Sequence, residues 1–287
     1  MQKDYKYHKL NSSELPEKFN SIDPLPNTIY YCGGDLLTNL EKPTVAIVGS
    51  RKPTTYGREV TEMFTRALSS KGIVIVSGLA LGIDSIAHKT CVESGGQTIA
   101  VLPCGPGLIY PSSHRSLAQR IIELNGNLLT EYPENSPAYK QNFIARNRII
   151  SGLADIVIVT EANERSGTLH TANFALSQGK TVMAVPGPIT SPYSKGTNNL
   201  IKAGAIPLTE PSDIFFKLGM RESRPSEITA NNQEEYTILT LLSQGVRDGQ
   251  ELLDKSHLEP QIFNQTLTML EINGKIRALG NNQWTNQ

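Results

Sequence analysis

The stretch Val45-Ala46-Ile47-Val48-Gly49-Ser50-Arg51 decides the fold of this 287-residue chain. Four apolar residues in a row, three of them β-branched, end abruptly at a glycine. A run that is apolar at every position, rather than every second one, fits a strand covered on both faces, as helices on both sides of a parallel sheet require. The same signature recurs outward along the chain at Ile73-Val74-Ile75-Val76, Thr98-Ile99-Ala100-Val101-Leu102, Ile156-Val157-Ile158-Val159 and Thr181-Val182-Met183-Ala184-Val185. Leu128-Leu129-Thr130 and Ala205-Ile206-Pro207-Leu208 are weaker versions, shorter or interrupted by proline. Helical spacing fills the gaps, at residues 60–68, 83–93, 116–124 and 169–176. The alternation predicts a doubly wound, mostly parallel, Rossmann-like α/β sheet, whose ligands belong outside the carboxyl ends of the strands.

Function is therefore sought in the turns that leave the strands. Four of them carry glycine, often beside a hydroxyl: Gly49-Ser50-Arg51, the segment from Ser77 to Asp84, the segment from Glu161 to Thr168 with Ser166-Gly167, and Pro186-Gly187-Pro188. Glycine lets backbone approach a ligand closely, and a helix after the turn offers free N–H groups and the positive end of its dipole. Arg51 is the foremost candidate, because a guanidinium beside such a turn can grip a phosphate with two hydrogen bonds. A second basic cluster runs from Lys140 through Asn142, Phe143 and Arg146 to Arg148. Cations beside an aromatic suit a single-strand binder, in which charge tracks the backbone and a ring stacks on a base. The competing reading is that Phe143, Ile144, Ile149 and Ile150 form the buried stripe of a helix while the arginines brace loops.

Catalytic and metal constellations are missing from the sequence. The five histidines stand singly, without the close spacing of metal ligands. Asp84 and His88 are four residues apart on one predicted helix face, close enough to pair, and a structural hydrogen bond that ties down the glycine turn is expected of them rather than a catalytic dyad. No nucleophile elbow and no phosphate-loop lysine come after the glycines. No catalytic residue, metal or cofactor is expected.

The flanks have a different character. Residues 1–43 contain prolines 16, 24, 26 and 43 without sustained periodicity, and read as an extended lead-in packed on the sheet, within a first domain of residues 1–219. Residues 220–227 have a linker composition. Beyond them, residues 234–242, 249–255 and 260–273 are short helical patterns, and residues 275–284 resemble a hairpin, so residues 228–287 are expected to form a winged-helix domain. From Glu227 onward four basic residues face eight acidic ones, although the whole chain is neutral. A polyanion should therefore meet the first domain. Cys32, Cys91 and Cys104 are odd in number and far apart, which suits buried thiols in a reducing cytoplasm. No secretory signal or bilayer-length apolar segment is seen.

The blocks VAIVGSRKPTTYG (45–57), SGLALGIDSIAH (77–88), GGQTIAVLPCG (95–105), YPSSHRSL (110–117), FIARNRIISGL (143–153), VTEANERSGTLHTANFAL (159–176), VMAVPGP (182–188) and GTNNLIKAGA (196–205) occur in this order. Together they closely resemble the DNA-processing protein A (DprA/Smf) family, from about residue 29 to residue 208. The resemblance implies a cytoplasmic homodimer that binds single-stranded DNA and helps load RecA recombinase during transformation or recombination. It also implies that Ser50 and Arg51, with Lys140, Phe143 and Arg146, line the DNA pocket, and that the dimer contact lies near Ile201 and Leu208. The helical SAM-like domain that precedes the sheet in many members is expected to be missing or vestigial. Leu108 and His170 depart from the usual wording of the family's blocks.

The main rival is an enzyme on the same architecture, a nucleoside-monophosphate phosphoribohydrolase of the lysine-decarboxylase-like (LOG) group. Its PGGxGTxxE signature places a carboxylate where this chain has Thr171, and a hydroxyl cannot replace a carboxylate as a general base. A nicotinamide oxidoreductase would need GxGxxG after the first strand, which is absent. A duplex-reading regulator would need cations on its recognition helix, yet residues 260–273 contain none.

Overall fold

The computed structural model describes residues 6–220, 230–280 and 282–286. The chain divides into two compact units, through Met220 and from Arg221 onward. The expected linker, Met220 apart, lies outside the described residues.

In the first unit the strands are β1 (His8–Asn11), β2 (Thr28–Gly33), β3 (Thr44–Val48), β4 (Val74–Ser77), β5 (Thr98–Val101), β6 (Asn127–Thr130), β7 (Ile156–Val159), β8 (Thr181–Ala184) and β9 (Ile206–Pro207). The helices are α1 (Leu36–Glu41), α2 (Thr55–Ser70), α3 (Ile83–Glu93), α4 (Arg115–Glu123), α5 (Lys140–Leu153), α6 (Thr168–Ser177), α7 (Lys195–Lys202) and α8 (Pro211–Lys217). The sheet order is β1-β2-β6-β5-β4-β3-β7-β8-β9. Strands β3 to β9 are mutually parallel, and β2 and β1 add an antiparallel edge. The mostly parallel α/β sheet is thus the one expected from the sequence.

The lead-in differs from its expectation. It does not lie extended over the sheet but contributes two strands to it, β2 pairing with β6 from Tyr30↔Thr130 to Gly33↔Asn127. Thr28-Ile29-Tyr30-Tyr31-Cys32 has the β-branched and aromatic content of a strand, and the prolines on its flanks hide that signal.

Alternation within each strand sorts the core into two layers. Val45 and Ile47 point to one face, where they pack with Phe64 and Leu68 of α2, Ile83 and Ile86 of α3 and Ile214 of α8. Ala46 and Val48 point to the other, against Ile149, Ile150 and Leu153 of α5 and Ala172 and Ala175 of α6. The run is apolar throughout because both faces are covered. The three cysteines are buried and unpaired, and burial pushes the Cys32 thiol up to about 12.

The second unit holds helices α9 (Gln233–Ser243), α10 (Gly249–Ser256) and α11 (Pro260–Ile272) and a hairpin of β10 (Ile276–Gly280) and β11 (Gln283–Asn286). Ile238, Leu252, Phe263, Leu267, Leu270 and Ile276 form its core. Asn232 caps α9 by accepting from Glu235 N, and Asp248 caps α10 by accepting from Gln250 N and Glu251 N.

Candidate nucleic-acid interface

Strands β3, β4, β5 and β6 step outward in one direction, and the chain then returns to place β7 on the other side of β3. At such a reversal the loops that leave neighbouring strands turn to opposite faces and leave a crevice at the carboxyl ends. A cavity of about 620 Å³ lies there.

Its rim is built from loops. Ser50, Arg51 and Lys52 come from the turn after β3, and Asn163, Arg165, Ser166 and Gly167 from the turn after β7. Helix α5 adds Phe143, Ile144 and Asn147, and Tyr193 closes the rim. The floor consists of Val48, Asp84, Arg146, Ile150 and Thr171, all buried.

The glycines differ in purpose. A Cβ on Gly49 would lie 2.6 Å from Ile83 Cγ1, and one on Gly78 would lie 2.5 Å from the Arg146 guanidinium. These two are small because protein atoms fill the space, not because a ligand does. A Cβ on Gly167 would meet nothing within 4 Å, so here the backbone faces open space at the start of α6. The expected convergence of four turns also narrows. The first three border this cavity, whereas Pro186 and Gly187 line a separate hollow with Lys195, Asn198 and Ile201.

The Arg51 loop is fixed from three sides. Ser50 N donates to Glu161 O at 2.8 Å, Ile83 N donates to Ser50 O at 3.1 Å, and Thr168 Oγ1 donates to Gly49 O at 2.8 Å. Gly82, at φ 82°, leaves room for Ser50 O, which would lie 2.3 Å from a Cβ at that position. The neighbouring turn after β4 is strained. Buried Leu79 has φ 55°, a left-handed conformation costly for a branched side chain. Two histidines hold it there: Leu79 N donates to His88 Nε2 at 3.3 Å, and His114 Nδ1 donates to Leu79 O at 2.8 Å. With Nε2 accepting, His88 Nδ1 carries the proton and donates to Thr98 Oγ1 at 2.7 Å. Burial, with the Arg146 charge second, lowers the His88 pKa to about 3. Asp84 accepts from Gly78 N at 3.1 Å. Asp84 and His88 thus tie down the glycine turn, each through its own backbone partner and not by pairing with each other.

The sequence candidates separate on helix α5. Phe143 and Arg146 line the cavity with Ile150, at the i, i+3, i+7 spacing of one helix face. Arg51 sits over the Phe143 ring, its guanidinium carbon 5.5 Å from the centroid, in cation–π range. Tyr110 meets the same ring edge-on at 5.2 Å. Lys140 is exposed at the first turn of α5, outside the cavity lining. Asn142 does not line the cavity: it is buried, and its Nδ2 donates to Pro103 O at 3.1 Å. Arg146 reaches the cavity as a buried group, 3 % exposed, with Nη1 donating to Gly78 O at 2.6 Å and to Val101 O. Desolvation lowers its pKa to about 10. Arg148 braces a loop through an ion pair with Glu131.

The two residues expected at a dimer contact also part company. Ile201 is half-buried at the second hollow. Leu208 is fully buried with Met183, Val185 and Ile214, so its side chain is not available to a partner. Lys52, Asn163, Arg165 and Tyr193 were not singled out from the sequence. Arg165, three residues before a helix in a glycine turn, is the one whose position carried a signal.

The family model for DNA recombination-mediator protein A matches residues 6–219. The chain belongs to this family. Protein Smf of Escherichia coli is 47% identical over 208 residues, 72% of this chain and 55% of that protein. This chain therefore spans little more than half the length of that family member. Among solved structures of the family, DNA processing protein A of Streptococcus pneumoniae superposes with a TM-score of 0.68 at 36% identity, over 74% of each chain. The same protein of Helicobacter pylori, described for its unique single-stranded DNA binding mode, superposes with a TM-score of 0.68 at 33% identity, over 76% of this chain and 98% of its own.

Proposed function

We propose that this chain binds single-stranded DNA at the carboxyl-end cavity and acts as a recombination mediator, not as an enzyme. The observation that carries the reading is the rim. Arg51, Lys52 and Arg165 are exposed, form no ion pair among the described residues, and share the cavity lining with the half-buried ring of Phe143, over which Arg51 sits. Unpaired cations beside an aromatic face match a ligand that offers phosphates and bases together. The single-strand binding ascribed to the Helicobacter pylori protein, which shares this fold at 33% identity, supports it. Among the described residues the one carboxylate that lines the cavity, Asp84, is occupied with the backbone of its own turn, and Thr171 stands where the phosphoribohydrolase group has glutamate.

In this reading the protein works in the cytoplasm as a homodimer, with the Ile201 neighbourhood at the contact, and delivers covered strands to RecA recombinase. The second unit is a winged helix whose acidic surface contacts protein rather than DNA.

Fluorescence anisotropy of labelled oligo-dT against its duplex at several salt concentrations tests the core of this. We expect salt-sensitive binding that favours the single strand. Arg51→Ala should weaken it for every sequence and flatten the salt slope by about 0.7, the value of one phosphate contact. An affinity loss with an unchanged slope would remove Arg51 from the phosphate path, and no binding to either DNA would return the nucleotide-enzyme reading.

A further inference from the structure

We propose that the cavity is an end-binding pocket, which encloses one nucleoside 5′-phosphate, either the terminal nucleotide of a strand or a free mononucleotide. The proposal rests on the single-strand reading above and specifies the part of the ligand that enters.

Shape is the first argument. A volume of about 620 Å³ falls in the ~300–1,000 Å³ range of pockets that enclose a whole small molecule, well beyond what a phosphate alone fills. The floor residues Val48, Asp84, Arg146, Ile150 and Thr171 are buried, so an internal stretch that dipped into the cavity would have to enter and leave through the same mouth. A terminal group suits such a site better than the middle of a strand.

Charge is the second. The rim holds Arg51, Lys52 and Arg165 and the N-terminus of α6, while the floor holds the Asp84 carboxylate. On the floor that carboxylate is offset by the Arg146 guanidinium, so the uncompensated positive charge lies at the rim, where a phosphate is favoured, which leaves the interior to sugar and base. An internal phosphodiester carries one negative charge, whereas a terminal monoester carries about −1.5 to −2 near pH 7. Three unpaired cations match the second better.

The cavity wall has the polar groups such a ligand needs. The Asn147 and Asn163 side chains line the cavity without a hydrogen-bond partner in the protein among the described residues. Gly167 leaves space above the α6 terminus where the phosphate would sit.

The test is anisotropy on the full chain with 3′-labelled oligo-dT bearing either a 5′-phosphate or a 5′-hydroxyl. Thymidine 5′-monophosphate serves as competitor, with inorganic phosphate and thymidine as controls. We expect the 5′-phosphate strand to bind about tenfold tighter, the worth of one charge-assisted hydrogen bond. The monophosphate should displace it at concentrations where neither control does, and Arg165→Ala should narrow the gap between the two strands. Equal affinity for both strands with no displacement by the monophosphate would overturn the end-binding proposal and leave single-strand binding standing. Displacement by inorganic phosphate as effective as by the monophosphate would also overturn it. Monophosphate binding without any strand binding would keep the ligand class and overturn the single-strand reading instead.

Discussion

The two ends of the sheet use their cations in opposite ways. At the amino ends, Lys18 Nζ reaches Asp155 Oδ2 at 2.9 Å, Thr44 Oγ1 at 2.6 Å and Lys42 O at 3.2 Å, and Lys42 in turn donates to Gln97. At the carboxyl ends, Arg51, Lys52 and Arg165 stand in no ion pair among the described residues. Lysines of the first kind fasten loops to strands. The second group is held out from a rigid frame with its charge uncompensated, an arrangement whose self-repulsion is relieved only when an anion arrives. Arg146 sits between these cases, structural in its bonds yet open to the cavity through its lining surface.

Each of these assignments can be broken. Arg146→Leu should have the largest effect, a loss of roughly 3–5 kcal/mol in denaturant unfolding, because it leaves Asp84 enclosed without its cation and the carbonyls of Gly78 and Val101 without a donor. A stability near wild type would make Arg146 a ligand residue only. Acid should come next. The unfolded state binds a proton on His88 near pH 6.5, while the folded state does so only near pH 3. The unfolded chain is therefore the more protonated between these values, and stability falls as pH drops through that window, by up to about 1.4 kcal/mol per pH unit from this residue. His88→Gln should flatten that part of the curve, and an unchanged slope would show that the turn is not anchored by a neutral imidazole. Phe143→Ala should cost on the order of 1–3 kcal/mol of single-strand affinity with little change in melting temperature, since the ring is only half-buried. Unfolding in its place would assign Phe143 to the core. Lys18→Met should be the mildest, about 1 kcal/mol of stability and no change in DNA affinity. A drop in affinity would erase the contrast between the two ends.

The sheet was legible where strands are buried on both faces, because short, β-branched runs that are apolar at every position and stop at a glycine, such as residues 45–48, fit a covered strand. Strands β1 and β2 were not, since an edge needs fewer apolar residues and prolines 24 and 26 precede β2 closely. At the site, Gly49-Ser50-Arg51 was readable because strand end and candidate cation are contiguous. Lys52, Arg165 and Tyr193 were harder, as they converge from loops far apart in the chain and only the topology brings them together. The α5 candidates were chosen as a contiguous block, whereas helical periodicity divides that block. Phe143 and Arg146 turn inward, Asn142 turns toward Pro103, and Lys140 lies a turn beyond the cavity.

The outermost strand of the parallel side is β9, two residues long with proline as its second member. Its backbone offers almost no free N–H groups to a newcomer, and a proline there forbids a ladder from continuing. A second copy that approached this side could not be added as another strand. Any assembly through Ile201 must be made by side chains meeting across surfaces, which leaves pairing separable from folding and sensitive to single substitutions.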